Sequence, residues 1–143
     1  MARWNFNLAP RIGLLPIRLG MSLSDAGSIL GLNPSSVISE GSGMKRAVYG
    51  DIVILYADYT DTIFSISCTL YGDKEVSMNG HKIIFEEYWS PDINETIASL
   101  GKYEIMEGVR HFHDLGVAFP DRIDNDDTSD QIVSVYRPHK GSS

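Results

Sequence analysis

The sequence predicts an α+β domain: two tandem helix-plus-β-hairpin repeats forming a mainly antiparallel sheet with the helices on one side. Three recurrences carry that expectation. Asp51-Ile-Val-Ile-Leu-Tyr-Ala-Asp58 is answered by Asp114-Leu-Gly-Val-Ala-Phe-Pro-Asp121, and Asp61-Thr-Ile-Phe-Ser-Ile66 by Asp130-Gln-Ile-Val-Ser-Val135. Upstream, Ser22-Leu-Ser-Asp25 leading to Leu30-Gly31 is answered by Asp92-Ile-Asn-Glu95 leading to Leu100-Gly101. The order is the same each time, and the length differences fall between the matched segments, where connections tolerate insertion. The 143 residues suit a single domain over about 1–140, with repeat one at about 12–72 and repeat two at about 76–137. The closing residues 141–143 read as a cloning remnant.

The elements follow from local pattern. Leu23, Ala26, Ile29 and Leu30 stand at helical spacing, Ser22-x-x-Asp25 has capping-box spacing, and Gly31 supplies a stop. Residues 33–43, rich in Ser and Gly, read as the longest loop of the first repeat. Strands are expected at Arg46 to Tyr49, Asp51 to Asp58 and Ile63 to Leu70, the last two joined through Asp58-Tyr-Thr-Asp61 as an antiparallel hairpin. Both faces of 51–58 are apolar, as in a central strand. In the second repeat Lys82 to Phe85 reads as a strand. Asp92 caps a helix striped by Ile93, Thr96, Ile97 and Leu100 and stopped by Gly101. Val109 to His113, Asp114 to Asp121 and Gln131 to Tyr136 complete the strands, with Pro120 marking a strand end or edge.

Composition narrows the function classes. The chain is acidic, with a formal net charge of −7, and residues 1–73 contribute −1 while residues 74–143 contribute −6. Much of the second repeat's acidity lies in Asp121-Arg-Ile-Asp-Asn-Asp-Asp-Thr-Ser-Asp130, a connection lengthened relative to Asp58-Tyr-Thr-Asp61. Such a surface repels nucleic acid and attracts cationic protein patches. The amino-terminal residues hold no apolar run of signal-peptide or membrane-span length, which predicts a cytoplasmic protein. The single cysteine, Cys68, forms no intramolecular disulfide; the alternation Phe64, Ile66, Cys68, Leu70 places it on an apolar strand face.

Catalytic chemistry finds little support. His111 and His113 share a strand face and are the sharpest metal candidates, yet a zinc site needs further ligands, which only His81, Glu86, Glu87 or the aspartate connection could supply. Asp124, Asp126, Thr128 and Asp130 alternate as in a calcium loop, but Ser129 and Val135 stand where the glycine and glutamate belong. Glu86 and Glu87 as adjacent strand residues would face opposite ways, which excludes a paired-carboxylate role. No catalytic motif, cofactor or metal site is expected. The segment Glu86-Glu-Tyr-Trp89 instead sets two amphipathic rings beside two carboxylates, a combination that suits a protein-binding surface; Trp89 could equally staple the second helix to the sheet.

Ile17-Arg-Leu-Gly-Met-Ser22, followed by a short helix ending in Leu30-Gly31 and a strand hairpin, resembles the opening of repeats in β-lactamase-inhibitor-like and BamE-like domains. A degraded second copy stands at Phe85-Glu-Glu-Tyr-Trp-Ser90, and the resemblance spans about residues 12–136. It implies a non-catalytic protein binder. The chain departs from both groups, lacking the signal peptide and disulfides of the first and the lipidated cysteine of the second. A cytoplasmic, acidic, single-domain version is similar to a bacterial toxin-immunity protein of the contact-dependent inhibition or polymorphic-toxin type. That similarity implies a cognate toxin as partner, most plausibly a basic nuclease. Asp121, Asp124, Asp126, Asp127 and Asp130, with Glu86, Glu87, Tyr88 and Trp89, would face its active-site cleft. The other readings are a metal-dependent enzyme using His111 and His113, and a scaffold or assembly module.

Overall fold

The computed structural model describes residues 4–72, 74–123 and 131–137. Alternating Trp4, Phe6 and Leu8 build β1 (Trp4–Ala9), followed by β2 (Gly13–Leu15) and β3 (Ile17–Arg18). Helix α1 (Leu23–Leu30) leads to β4 (Ser36–Gly41), β5 (Met44–Tyr49), β6 (Ile52–Ala57) and β7 (Thr62–Thr69). The same order then recurs. β8 (Lys74–Met78), β9 (His81–Phe85) and β10 (Tyr88–Trp89) precede α2 (Ile93–Ala98), which leads to β11 (Glu104–Met106), β12 (Val109–Phe112), β13 (Val117–Pro120) and β14 (Ile132–Tyr136).

These strands make two sheets instead of the single sheet expected. The two four-strand runs are antiparallel meanders joined through β7 and β14, giving the order β11-β12-β13-β14-β7-β6-β5-β4. The two three-strand runs join through β1 and β8, which are parallel, in the order β10-β9-β8-β1-β2-β3. Strands account for 52% of the described residues and helix for 11%, so the protein is mainly β, not an even α+β mixture. The segments before each helix are short and interrupted by turns, and the two runs are joined only by β1 and β8, which pair across about seventy residues, as in Trp4 opposite Lys74. Local pattern does not announce such strands.

Several boundaries also differ from expectation. The supposed loop 33–43 contains β4, an edge strand exposed along its whole length and paired to β5. Asp114, Leu115 and Gly116 form the turn before β13, whose four residues are all buried between β12 and β14. Asp92 makes no cap to α2; its carboxylate accepts instead from the Ser90 hydroxyl at 2.9 Å, and the helix ends at Ala98, before Gly101. Ser22 and Gly31 bracket α1 as expected: the Asp25 amide donates to Ser22 Oγ at 3.1 Å, and Gly31 is left-handed at φ 71°. The 52–57 strand is interior to its sheet, but only Ile52, Ile54 and Tyr56 are fully buried. A bulge opposite Leu55 and Tyr56 shifts the phase of β7, so Ile63 rather than Phe64 joins Ile66 and Cys68 in the core.

One hydrophobic core lies between the sheets. β2 packs against β7 and β14, the pair of strands where the two meanders meet, and Phe6, Leu8, Leu14 and Ile17 interleave with Ile52, Ile54, Ile66, Val117, Phe119 and Val135. A charged group sits within this apolar frame. Lys74, 0% exposed, donates to the Asp51 carboxylate at 2.5 Å and to the Tyr71 carbonyl oxygen. Removing one partner strands a buried charge, so Asp51→Ala is expected to lower stability by about 3–5 kcal/mol in urea unfolding, while Asp51→Leu with Lys74→Met restores most of it. A loss below about 1 kcal/mol for the single variant would show that water reaches the pair.

Candidate functional site

Hairpin turns single out one surface. Three two-residue turns, Ser42-Gly43, Asn79-Gly80 and Glu107-Gly108, have positive φ at both residues and place glycine second, as that turn geometry favours. The β9–β10 turn has the same backbone with Glu86 at φ 49° and Glu87 at φ 70°. Two consecutive left-handed residues with side chains cost on the order of 1 kcal/mol each, and strain of this kind concentrates at functional sites. The expectation that these glutamates are strand residues is therefore corrected: both belong to the turn, and both carboxylates are presented at its tip.

The neighbours of the tip are apolar and open. Phe85 is 41% exposed and Tyr88 61%; with Lys82, Ile84, Glu86, Trp89, Ser90 and Pro91 they line a groove of about 420 Å³. Glu87 accepts from the Gly72 amide at 3.1 Å, which ties the turn to the crossing between sheets. Glu86 makes no hydrogen bond or ion pair among the described residues. Lys82, which pairs with Glu75 at 3.0 Å, holds its ammonium 4.8 Å from the centre of the Phe85 ring. Aromatic area beside a free carboxylate is what a cationic protein surface can use.

Trp89 sits differently from Tyr88. It is 3% exposed and its Nε1 donates to Gln131 Oε1 at 3.0 Å, while Gln131 Nε2 donates to the Arg122 carbonyl oxygen at 3.0 Å. The indole is thus scaffold with one edge on the groove, not a surface ring. Its hydrogen bond reaches the base of the acidic connection, because Arg122 and Gln131 stand on either side of residues 123–130. The structure in this way brings the hairpin and the two ends of the acidic connection together. Asp121 is exposed, and its amide donates to the Gly108 carbonyl oxygen at 2.8 Å; the Asp58 amide makes the same bond to Gly43 in the first half, also at 2.8 Å. Asp124, Asp126, Asp127 and Asp130 lie outside the described residues.

The histidines form a separate feature. The His111 and His113 rings stack at 5.6 Å, and His113 Nε2 lies 3.5 Å from Glu104. They line a shallow pocket of about 230 Å³ with Lys102, Tyr103, Glu104 and Asp114. Burial, reinforced by His113, lowers the His111 pKa against the opposing pull of Glu104. Among the described residues no group of three or more His, Cys, Asp or Glu is placed to hold a metal ion. The remaining nucleophile is inert: Cys68 is buried, and its thiol is pushed up to about 12, first by burial and then by Asp51, against the lowering effect of Lys74.

A larger groove, missed in the sequence, runs under α1 over Tyr49 and Tyr56. Its only advance signal was that these tyrosines alternate onto the buried face of their strands. No helix among the described residues is long and apolar enough to cross a membrane. Comparison with protein-family models, curated proteins and solved structures finds no match.

The Cys68 environment sets a pH dependence. The unfolded thiol ionises near 9.0 and the folded one at about 12, so above the lower value protons leave the unfolded state only. Stability should fall as pH rises from about 9 towards 12, relative to a Cys68→Ala variant measured in parallel. Native protein should leave a thiol-reactive dye unreacted until denaturant is added; rapid labelling without denaturant would contradict the buried placement.

Proposed function

We propose that this chain is a non-catalytic binding module of the toxin-immunity kind, which neutralises a basic protein partner, such as a nuclease toxin, by covering its active-site cleft with an acidic surface. The observation that carries the reading is the Trp89–Gln131–Arg122 network, which holds a strained, carboxylate-bearing hairpin tip beside the base of the acidic connection. Glu86, Glu87 and Asp121, with the aspartates at 124, 126, 127 and 130, steer a cationic partner over distances near the Debye length of about 8 Å. Phe85 and Tyr88 supply the desolvated contact area that slows dissociation. Trp89 holds this surface from below.

The chain on this reading consists of two copies of a three-strand, helix, four-strand unit. Agreement between the copies is scaffold, as in the matching Asp58 and Asp121 amide bonds. Recognition falls where they diverge, at the lengthened acidic connection and at the one glycine-free turn of this kind among the described residues.

Two measurements test the proposal. Co-expression of the chain with the product of the gene directly upstream should rescue bacterial growth, and failure to rescue against any adjacent gene product would end the immunity reading. In stopped-flow association with that partner at low salt, Glu86→Lys with Glu87→Lys should slow the on-rate by about tenfold or more, the wild-type rate falling with added salt. Glu86→Asn with Glu87→Gly should raise stability by about 1 kcal/mol through relief of turn strain, yet weaken binding. A variant both more stable and equally tight would remove the hairpin tip from the interface.

A further inference from the structure

The groove between α1 and the eight-stranded sheet is independent of the hairpin tip. It has a volume of about 820 Å³, within the range of ligand pockets. Its floor is Tyr49 and Tyr56, and Asp58 and Asp61 stand among its walls. The Tyr49 residue is 2% exposed, lies against Gly27 of α1 and makes no hydrogen bond to any described residue, so its hydroxyl meets the groove without a protein partner.

The charge of the groove has one sign. None of the described residues lining it is Lys, Arg or His. Asp58 is paired with the exposed Lys45 at 3.4 Å, whereas Asp61 has no cation: its Oδ1 accepts from the Leu23 amide at 3.1 Å and fills the amino-terminal end of the helix. At the other end, Gly31 to Pro34 line the groove where the α1 carbonyls point outward, and the last turn of α1 carries no basic residue. An anion would meet an occupied helix start and a carboxylate. A cation meets a carboxylate, the negative end of a helix, two phenol faces and a free hydroxyl oxygen.

We infer that the groove under α1 is a binding site for a guanidinium or alkylammonium group, held by Asp61 and Asp58, stacked on Tyr56 and hydrogen-bonded by the Tyr49 hydroxyl. Burial raises the Tyr49 pKa, with Tyr56 adding to the rise, so the phenol stays neutral across the physiological range. The cation comes either from an arginine side chain of a protein or from a free amine.

The test uses the full chain, isotope-labelled and followed by amide chemical shifts. The probes are agmatine, the peptide acetyl-Gly-Arg-Gly-amide, and the same peptide with citrulline, its uncharged isostere. Agmatine and the arginine peptide should shift residues of 23–34 and 49–61, and the citrulline peptide should bind about tenfold more weakly or not at all. Tyr49→Phe, which removes a hydroxyl unbonded within the protein, should keep the thermal midpoint and weaken the cations about fivefold; Asp61→Asn, which can still cap Leu23, should weaken them about tenfold. Tighter binding of the peptide assigns the cation to a protein side chain, and tighter binding of agmatine to a free amine. Equal binding of the arginine and citrulline peptides, or no shifts with either cation, overturns the inference. Should a variant fail to fold, loss of wild-type binding with added salt gives the same decision. Glu86→Lys with Glu87→Lys should leave these shifts intact, which separates this site from the hairpin surface.

Discussion

The buried Lys74–Asp51 pair governs how the chain passes from one sheet to the other. β7 ends at Thr69 and β8 begins at Lys74, so the crossing between sheets has few residues in which to turn. Within it Gly72 takes a positive φ of 90°, and a methyl group there would stand 2.9 Å from the Asp51 carboxylate carbon. The carboxylate belongs to the β5–β6 turn, and the ammonium to the first residue of the strand that pairs with β1. A buried ion pair adds little net stability, because desolvation offsets much of its Coulomb attraction. Its effect is on choice: any other crossing would leave one charge unpaired in the core, and the Glu87 bond to Gly72 then carries the same constraint out to the hairpin tip.

Neither half of the protein closes a core alone. The first half lends β1 to a parallel pairing with β8 and β7 to an antiparallel pairing with β14, and β2 covers the second of these seams. Both joints lie at the centre of their sheets. Variation is thereby pushed outward, to the edge strands β4 and β11 and to the turns, where altered side chains leave the core packing unchanged.

Legibility in the sequence followed distance along the chain. The Ser22 cap, the Gly31 stop and the β6–β7 hairpin depend on neighbours within a few residues, and the pattern displayed them. Asn79-Gly80, between the apolar pairs Val76, Met78 and Ile83, Ile84, carried an equally local hairpin signal that the segment's charges obscured. β1 and β8 were illegible for another reason: each is stabilised by the other across about half of the chain, and so short an alternation has no meaning until its partner is known. The bulge at β7 likewise broke the simple alternation through Phe64. For the candidate site, the acidic character and the 86–89 segment were readable from composition, but the opposite fates of Tyr88 and Trp89 required the Gln131 bond. The α1 groove was hidden because its floor consists of residues that look like ordinary core.

Among the places that break a local rule, two share a logic. Glutamate occupies both positions of a turn whose second position is glycine in the other described turns of this kind, and the hydroxyl of a tyrosine that is otherwise buried meets a groove without a protein partner. Natural sequences agree with their folds at most positions, so uncompensated exceptions concentrate where something outside the fold is being served. Each exception here is electronegative, lies beside aromatic surface and makes no ion pair among the described residues. The Tyr49 groove lies in the nearly neutral first half, where the long-range field is weak and selectivity must come from contact. The hairpin tip lies in the acidic second half, where the field itself would draw in a cationic group. A protein that met one basic ligand at both would use the second half for capture and the first for discrimination, a division of labour that the unequal charge of two otherwise parallel halves makes physically natural.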